Sequence, residues 1–429
     1  MNDGAKPTLA ELTAASFKVG CLGFGGPAGQ IALMHRVFVD EKKWIGEERY
    51  LHALNYCMLL PGPEAQQLAT YVGWLLHGVK GGVIAGLLFV IPGALIVFGL
   101  SWLYAEHGQA AAINALFYGV KAAVLGFIVD ALVRIGRRSL RAAADLAVAV
   151  AAFLALYLFG LPFPLVILAA ALFGAIASRA KPEQTPAPVQ SGPSARKALT
   201  TALAWGAAWL APVALVVIVL GPRHMLSEIG LLFSQLAIVT FGGAYAVLAY
   251  LQQQAVDVHA WLTPAQMIDG LGLAETTPGP LILVNQFVGF LAGWQAEGGS
   301  LGLAAAGALM ASWCTFAPSF VWIFAGAPYA EALRRNRYAA GGLRAVSAAV
   351  LGVIAALSLW FGQHVLFGEL GSLETPWGRP LLIPALASFD PIAALIALAA
   401  AIALIRFRTN AVVVVLACAA LGWLRYVMS

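Results

Sequence analysis

Charged residues are scarce in this chain of 429 residues. Only 10% of positions are Asp, Glu, Lys or Arg and 61% are hydrophobic, whereas an ordinary globular domain has about 25% charged residues. Apolar runs such as 81–104, 205–220 and 391–405 recur along the whole length, and a helix needs about 20 such residues to cross hydrocarbon. A water-soluble fold of this length cannot bury so many apolar runs. The composition therefore predicts an all-α polytopic membrane protein.

The signatures of catalysis and of metal binding are also missing. The four cysteines are scattered through apolar segments, and the seven histidines form no metal-ligand spacing. Gly78-Val79-Lys80 stands where a phosphate loop requires Gly-Lys followed by Ser or Thr, and no Gly-x-Ser-x-Gly elbow is present. The net charge of +5 is small and lies in a few loops. We therefore expect no enzyme, no cofactor, no metal and no nucleic-acid partner.

Two glycine- and proline-rich motifs occur twice in the chain. Phe24-Gly25-Gly26 recurs as Phe241-Gly242-Gly243, and Pro61-Gly62-Pro63 recurs as Pro278-Gly279-Pro280, both with a spacing of 217 residues. Farther on, 122–126 and 348–352 share the string Ala-Ala-Val-Leu-Gly at a spacing of 226. Because Gly and Pro constrain the backbone, the copies indicate a repeated structure rather than a repeated composition.

The repeat divides the chain into four parts. The first repeat is 1–180, a linker rich in proline is 181–198, a connecting membrane helix is 199–225, and the second repeat is 226–429. The apolar runs number six, then one, then six, or about 13 membrane segments. An odd helix between two copies turns the second copy upside down. The sequence thus predicts two inverted-topology repeats with broken helices.

The arginines give an independent indication of this inversion. One cluster, which includes Arg134 and Arg138, follows the predicted helix 113–133, whereas Arg335 and Arg344 belong to a cluster at the start of the equivalent helix 342–362. If both clusters are cytoplasmic, the equivalent helices run in opposite directions. Whether the broken segments cross the membrane or re-enter it stays open at this point.

The breaks themselves predict where a ligand binds. In lipid every backbone N–H and C=O must be paired, so a Gly-Gly-Pro or Pro-Gly-Pro break is tolerable only where it lines a cavity or a site. A helix that restarts after such a break presents unpaired N–H groups and the positive end of its dipole, which favour an anion. Inverted repeats with interrupted helices are a recurring plan of secondary transporters. Simple kinks are the alternative interpretation.

Polar side chains cluster at these breaks, and Lys121 lies near the middle of an apolar helix. Hydroxyls and amides could bind an oxyanion, although hydrogen bonding between helices would explain them as well. Lys121 could balance the anion's charge or could snorkel to an interface. The candidate substrate-binding residues are Gly25, Gly26, Pro27, Gln30, Pro61, Gly62, Pro63, Glu64, Lys121, Gly242, Gly243, Tyr245, Glu275, Thr276, Thr277, Pro278, Gly279 and Pro280.

Longer strings around both copies resemble a known family. Gly23-Phe24-Gly25-Gly26-Pro27, Leu60-Pro61-Gly62-Pro63 and the string from Gly272 to Pro280 are similar to the bacterial chromate ion transporter family in its long-chain, two-domain form. The resemblance implies export of chromate across the bacterial inner membrane, chromate resistance, and sulfate as the structural analogue. A transporter or channel for sulfate or another oxyanion is the alternative, and a membrane scaffold or enzyme is a third class. The expected partners are the oxyanion and the lipid bilayer, and a homodimer is left open.

Overall fold

The computed structural model describes residues 6–178, 195–241, 244–296, 298–327, 337–377 and 380–428, without the side chains of 195, 244 and 246. It confirms the all-α fold. The helices, in chain order, are α1 Leu9–Leu22, α2 Gly26–His35, α3 Glu47–Cys57, α4 Glu64–His107, α5 Ala111–Ser139, α6 Ala143–Tyr157, α7 Phe163–Ala177, α8 Ala195–Leu220, α9 Met225–Val239, α10 Ala244–Gln252, α11 Pro264–Thr276, α12 Val284–Ala296, α13 Leu301–Gly326, α14 Arg337–Leu366, α15 Pro391–Ile405 and α16 Ala411–Met428.

Six helices of the described ranges are long and apolar enough to cross a membrane. They are α4, α5, α8, α13, α14 and α16, and five shorter helices are apolar as well. With so many apolar helices, the chain is a multi-pass membrane protein.

Glycine and proline end the helices where the sequence predicts. α1 stops before Gly23, and α2 starts after Gly25, whose φ of 83° suits glycine. The long run α4 is interrupted at His77 and Gly78, where the backbone leaves the helical region. This interruption separates the segment after Pro63 from the next apolar run. The chain therefore breaks at the predicted motif and again between the two predicted spans.

The chain folds into two compact units, and each takes segments from both repeats. The first unit comprises 1–102, 181–244 and 277–339, and the second comprises 103–180, 245–276 and 340–429. The predicted boundaries at 180, 198 and 225 therefore describe the sequence repeat rather than the compact units. The linker falls almost entirely outside the described residues.

Within the first unit, small residues let backbones approach closely. A Cβ placed on Gly289 of α12 would lie 2.5 Å from the carbonyl oxygen of Gly307 in α13, and one on Gly20 would lie 2.1 Å from that of Leu88. Such approaches are typical of helix packing in membranes, where no hydrophobic effect drives helices together. Small residues there allow the backbones to make close van der Waals contact.

Within the second unit, equivalent helices of the two repeats exchange equivalent contacts. Gly422 of α16 meets the carbonyl of Ala115 in α5, and Gly174 of α7 meets the carbonyl of Gly341 in α14; a Cβ would lie 2.3 and 2.2 Å from those oxygens. Ala115 and Gly341 are related by the repeat spacing of 226 residues. Such reciprocal contacts are what a two-fold relation between the repeats produces.

Two local features were not predicted from the sequence. Residues Arg36–Glu41 and Gln253–Val258 form short π-helices at matching positions of the two repeats. Strands β1 Leu370–Leu373 and β2 Leu381–Pro384 form an antiparallel hairpin with Leu370 opposite Pro384. Matching π-helices strengthen the evidence for a structural repeat, because such helices are rare.

Candidate functional site

The two Pro-Gly-Pro motifs make equivalent backbone hydrogen bonds within the first unit. The N–H of Gly62 donates to the carbonyl oxygen of Thr240 at 2.8 Å, and the N–H of Gly279 donates to that of Gly23 at 3.0 Å. Gly62 and Gly279 are related by 217 residues, and so are Gly23 and Thr240. Each Pro-Gly-Pro break of one repeat thus contacts the Phe-Gly-Gly break of the other. We call these contacts the first break pair (Gly23 with Gly279) and the second break pair (Thr240 with Gly62).

Glycine is needed at both Pro-Gly-Pro motifs. Gly62 and Gly279 have φ values of 111° and 96°, a region that residues with a Cβ rarely adopt. A Cβ on Gly62 would lie 2.9 Å from Nε2 of Gln67, and one on Gly279 would lie 3.1 Å from Leu283. The tight fit extends to α4, where a Cβ on Gly93 would lie 2.1 Å from the carbonyl oxygen of Pro278. The breaks are built features of the packing rather than simple kinks.

Gln30 holds the first break pair together. Its Nε2 donates to the carbonyl oxygens of Gly23 at 3.2 Å and Gly279 at 2.6 Å. The side chain is 0% exposed, yet its Oε1 has no partner among the described residues. The predicted candidate Gln30 therefore lies at the break, where its side chain donates hydrogen bonds to the backbone of both repeats.

Helix α2 begins at this break with an open N-terminus. No side chain caps it, and Pro27 stands in its first turn. Among the described residues, a Cβ built on Gly25 or Gly26 would meet nothing within 4 Å, and the first N–H groups of a helix have no partner within the helix. Uncapped N-termini of this kind attract anions.

The second break pair is surrounded by buried polar side chains. Gln67 donates from Nε2 to the carbonyl of Pro61 at 2.7 Å, which leaves its Oε1 without a partner. Neither amide atom of Gln66 has a partner among the described residues, and Gln66 is 0% exposed. Ser319 on α13 is buried, and its Oγ also has no partner in the described part of the chain. A Cβ on Gly62 would lie 3.8 Å from that oxygen. Glu64, the first residue of α4, is half-buried beside them.

A further polar patch joins α12 to α13 after the first break pair. Asn285 donates to the hydroxyl of Thr315 at 2.9 Å, and its Oδ1 has no partner in the described part of the chain. Gln286 donates to the carbonyl of Ala94 at 2.7 Å and accepts from Ser312 at 3.0 Å. Gln286 is thus hydrogen-bonded at both its amide nitrogen and its amide oxygen. In Asn285, by contrast, only the amide nitrogen has a partner among the described residues.

The second unit places Lys121 in an ion pair. Its Nζ lies 3.5 Å from Oδ1 of Asp269, and Oδ2 of Asp269 accepts from the hydroxyl of Tyr104 at 2.8 Å. The Asp269 side chain is 4% exposed and that of Lys121 is 26% exposed. The charge predicted to balance an anion is therefore balanced by a carboxylate. Sequence reasoning missed Asp269, although one acidic residue inside an apolar run is itself a signal.

Glu275 is buried in the same unit and accepts a hydrogen bond from the hydroxyl of Tyr245. Thr276 donates to the carbonyl of Leu273 at 2.8 Å, one turn back in α11. Asp130 and Arg134 pair along α5 at 3.0 Å, as the spacing of four residues predicts. The structure therefore joins the candidates Tyr245 and Glu275.

The remaining candidates divide as follows. The second unit contains Lys121, Tyr245, Glu275 and Thr276. The first unit contains Gly25, Gly26, Pro27, Gln30, Pro61, Gly62, Pro63, Glu64, Thr277, Pro278, Gly279 and Pro280. Gly242 and Gly243 lie outside the described residues. No group of His, Cys, Asp or Glu within the described ranges could hold a metal ion. Sequence reasoning did not place Ser319 or Thr315 at the site, because neither residue belongs to a local motif.

Comparison with known proteins identifies the family. A model of the chromate transporter family matches residues 10–175 and 227–423. The chain belongs to the chromate transporter family. The matched ranges lie within the two predicted repeats and leave out the linker and the whole connecting helix. The family assignment confirms the resemblance seen in the break motifs.

Curated relatives cover most of the chain. The chromate transport protein of Pseudomonas aeruginosa is 33% identical over 372 residues, which is 82% of this chain and 81% of the relative. That of Cupriavidus metallidurans is 30% identical over 365 residues, 81% of this chain and 80% of the relative. A probable chromate transport protein of Synechococcus elongatus is 29% identical over 360 residues, which is 84% of this chain and 86% of the relative. No solved structure matches the chain.

Proposed function

We propose that this member of the chromate transporter family exports chromate, a tetrahedral oxyanion, across the bacterial inner membrane and so gives resistance to it. The observation that carries the proposal is the pair of break contacts in the first unit, with buried and unpartnered polar atoms beside them. Polar groups without partners are costly at membrane depth, about 1–3 kcal/mol each in proteins. A transported ligand that pairs with them removes that cost.

The donors at the breaks suit an oxyanion. The amide of Gln66, the hydroxyl of Ser319 and the first N–H groups of α2 can each donate to an anionic oxygen. These donors carry no full charge, so they can bind a dianion without holding it as firmly as a buried cation would. Weak, multi-point binding is what a transporter requires, because the ligand must leave as well as enter. We place the substrate site at the two break pairs.

The membrane potential is sufficient to drive export. Chromate at neutral pH is largely a dianion, and one charge moved through 100 mV is worth about 2.3 kcal/mol. A dianion that leaves a negative cytoplasm therefore gains roughly 4.6 kcal/mol, which supports an outward concentration ratio on the order of a thousandfold. We propose electrogenic transport without ATP.

A carboxylate can add proton coupling to this export. A carboxyl group that takes up and releases a proton during the transport cycle can couple proton entry to anion exit. Glu275 is buried and accepts a hydrogen bond from the Tyr245 hydroxyl, whereas Glu64 is half-buried at the start of a helix. We propose that Glu275 rather than Glu64 sets the pH dependence of transport.

Substrate competition tests the proposed function. Purified protein in liposomes should carry labelled chromate, with unlabelled chromate and sulfate competing more strongly than phosphate or molybdate. Liposomes without protein serve as the control. Flux of sulfate that chromate does not inhibit would instead indicate the alternative oxyanion transporter, and absence of any anion flux would exclude the transport proposal.

A further inference from the structure

A basic pocket lies in the second unit, apart from the break pairs. Its volume is about 350 Å³. The residues that line it are Arg138, Ser139, Arg141, Ala340, Arg344 and Ser347. Three guanidinium groups and two hydroxyls therefore converge on one cavity, a donor set typical of phosphate recognition. The pocket is formed by the C-terminal end of α5, the turn that follows it, and the first part of α14.

A buried carboxylate holds part of this pocket in place. Asp145 accepts from Nε of Arg344 at 2.9 Å and from its Nη2 at 2.7 Å. Asp145 also accepts from the backbone N–H of Arg141 at 3.0 Å. The two-point contact fixes the plane of the Arg344 guanidinium and ties the turn to α14. The lining of the pocket itself contains three arginines and no acidic residue.

An apolar groove of about 530 Å³ is formed by the same two helices together with α6. Its lining residues are Leu132, Val133, Gly136, Leu140, Leu146, Ala149, Val150, Phe153, Leu351, Gly352 and Ala355. Leu140 stands between the pocket residues Ser139 and Arg141, and Leu351 is one helical turn beyond Ser347. A basic pocket and an apolar groove thus adjoin along α5 and α14.

We propose that this pair of cavities binds an anionic phospholipid, with the headgroup phosphate among the arginines and an acyl chain in the groove. Both helices are apolar enough to span a membrane, so their ends lie at the interface where headgroups are found. Basic pockets between helices on the cytoplasmic side are known to suit anionic headgroups. A free phosphate ion would use the arginines but not the groove.

The binding of short-chain lipids to the purified full chain in detergent tests the proposal. Dioctanoyl-phosphatidylglycerol should bind more tightly than dioctanoyl-phosphatidylcholine and should raise the melting temperature. Removal of two guanidinium groups in Arg138→Gln with Arg141→Gln should weaken phosphatidylglycerol binding by about tenfold or more, since each arginine near a headgroup contributes to the attraction. Arg344 is left intact because its ion pair with Asp145 supports the fold.

Arg137→Gln is the matched control. Arg137 is exposed on the same helical turn but does not line the pocket, so its loss should leave the affinity for phosphatidylglycerol within about twofold. Equal weakening by Arg137→Gln, or unchanged binding in the double variant, would overturn the site. Inorganic phosphate at matched concentration should produce a much smaller thermal shift. If it reproduces the whole shift, the pocket binds a free anion and the lipid proposal is wrong.

Discussion

At the scale of single residues, a substitution of Ser319 should affect substrate binding without lowering stability. Ser319 is 1% exposed and its hydroxyl has no partner within the described ranges, so it costs the folded state free energy when no ligand is present. Ser319→Ala should leave the melting temperature unchanged or slightly raised. The same variant should weaken chromate binding about tenfold or more, because a hydrogen bond to an ionised group is worth about 1.5–3 kcal/mol.

Ser101→Ala is the control for this change. Ser101 is equally buried in the first unit, but its Oγ donates to the carbonyl of Val97 at 2.6 Å within its own helix. Loss of that hydroxyl should leave chromate flux through proteoliposomes unchanged. Equal flux in Ser319→Ala and in the wild type would remove Ser319 from the substrate site.

The pairing of Lys121 with Asp269 predicts coupled effects of substitution. Lys121→Gln or Asp269→Asn alone leaves a charge unpaired, which is strongly destabilising in a buried site. The double variant should recover most of the lost thermal stability, with a coupling energy of about 1–3 kcal/mol. Additive losses in melting temperature would argue against the ion pair.

Transport by this double variant distinguishes the two roles proposed for Lys121. If Lys121 serves only the pair, a well-folded Lys121→Gln, Asp269→Asn protein should carry chromate at a rate close to that of the wild type. Low flux in a well-folded double variant would mean that Lys121 balances the charge of the anion, as its position in the sequence first indicated.

Glu275 predicts the pH profile of transport. Glu275→Gln removes the group that we propose to exchange a proton during the cycle, while its amide can still accept from Tyr245. Chromate flux measured above neutral pH, where the substrate stays a dianion, should therefore depend less on pH in this variant than in the wild type. Glu64→Gln is the comparison, and its profile should match that of the wild type. An unchanged profile in Glu275→Gln would exclude this residue from proton coupling.

At the scale of elements, the breaks should not tolerate a side chain. Gly62→Ala or Gly279→Ala places a Cβ where φ is near 100° and where neighbours lie about 3 Å away. The strain should disturb the break pairs and reduce chromate flux at least tenfold while the protein still inserts into the membrane. Gly99→Ala on α4 is the control, since its Cβ would meet nothing within 4 Å. Normal flux in both break variants would contradict the assignment of the site.

The elements were largely predictable because Gly and Pro mark their ends. The ends of α1, α2 and α7 follow from Gly23, Gly25 and Pro162, whose backbone preferences are local. The hairpin of β1 and β2 was not predictable, since its strands are short and irregular in polarity. The π-helices could not be predicted either, because an extra residue in a helical turn requires no characteristic amino-acid composition.

The site was predictable only in part. The motifs locate Gly62, Gly279 and Gln30, because a repeated break in an apolar helix has a physical cause. The exchange of contacts between repeats, in which Gly62 meets Thr240 and Gly279 meets Gly23, is set by tertiary packing and leaves no local signal. Ser319 could not be found, because one hydroxyl in an apolar helix is ordinary.

At the scale of the whole molecule, the two repeats build each compact unit jointly. The reciprocal bonds of the break pairs and the reciprocal glycine contacts of Ala115 and Gly341 both follow the repeat spacings. Neither repeat by itself contains a complete break pair. We therefore expect the first repeat, 1–180, to transport nothing when expressed alone and to recover flux only when 181–429 is supplied with it.

The dependence of chromate efflux on voltage tests the central proposal most directly. Proteoliposomes loaded with labelled chromate are set to defined interior-negative potentials with potassium and valinomycin. Electrogenic export predicts that the efflux rate rises with the potential. The steady outward ratio should reach about a thousandfold or more at 100 mV. Efflux that is unchanged between zero and 100 mV would contradict electrogenic export.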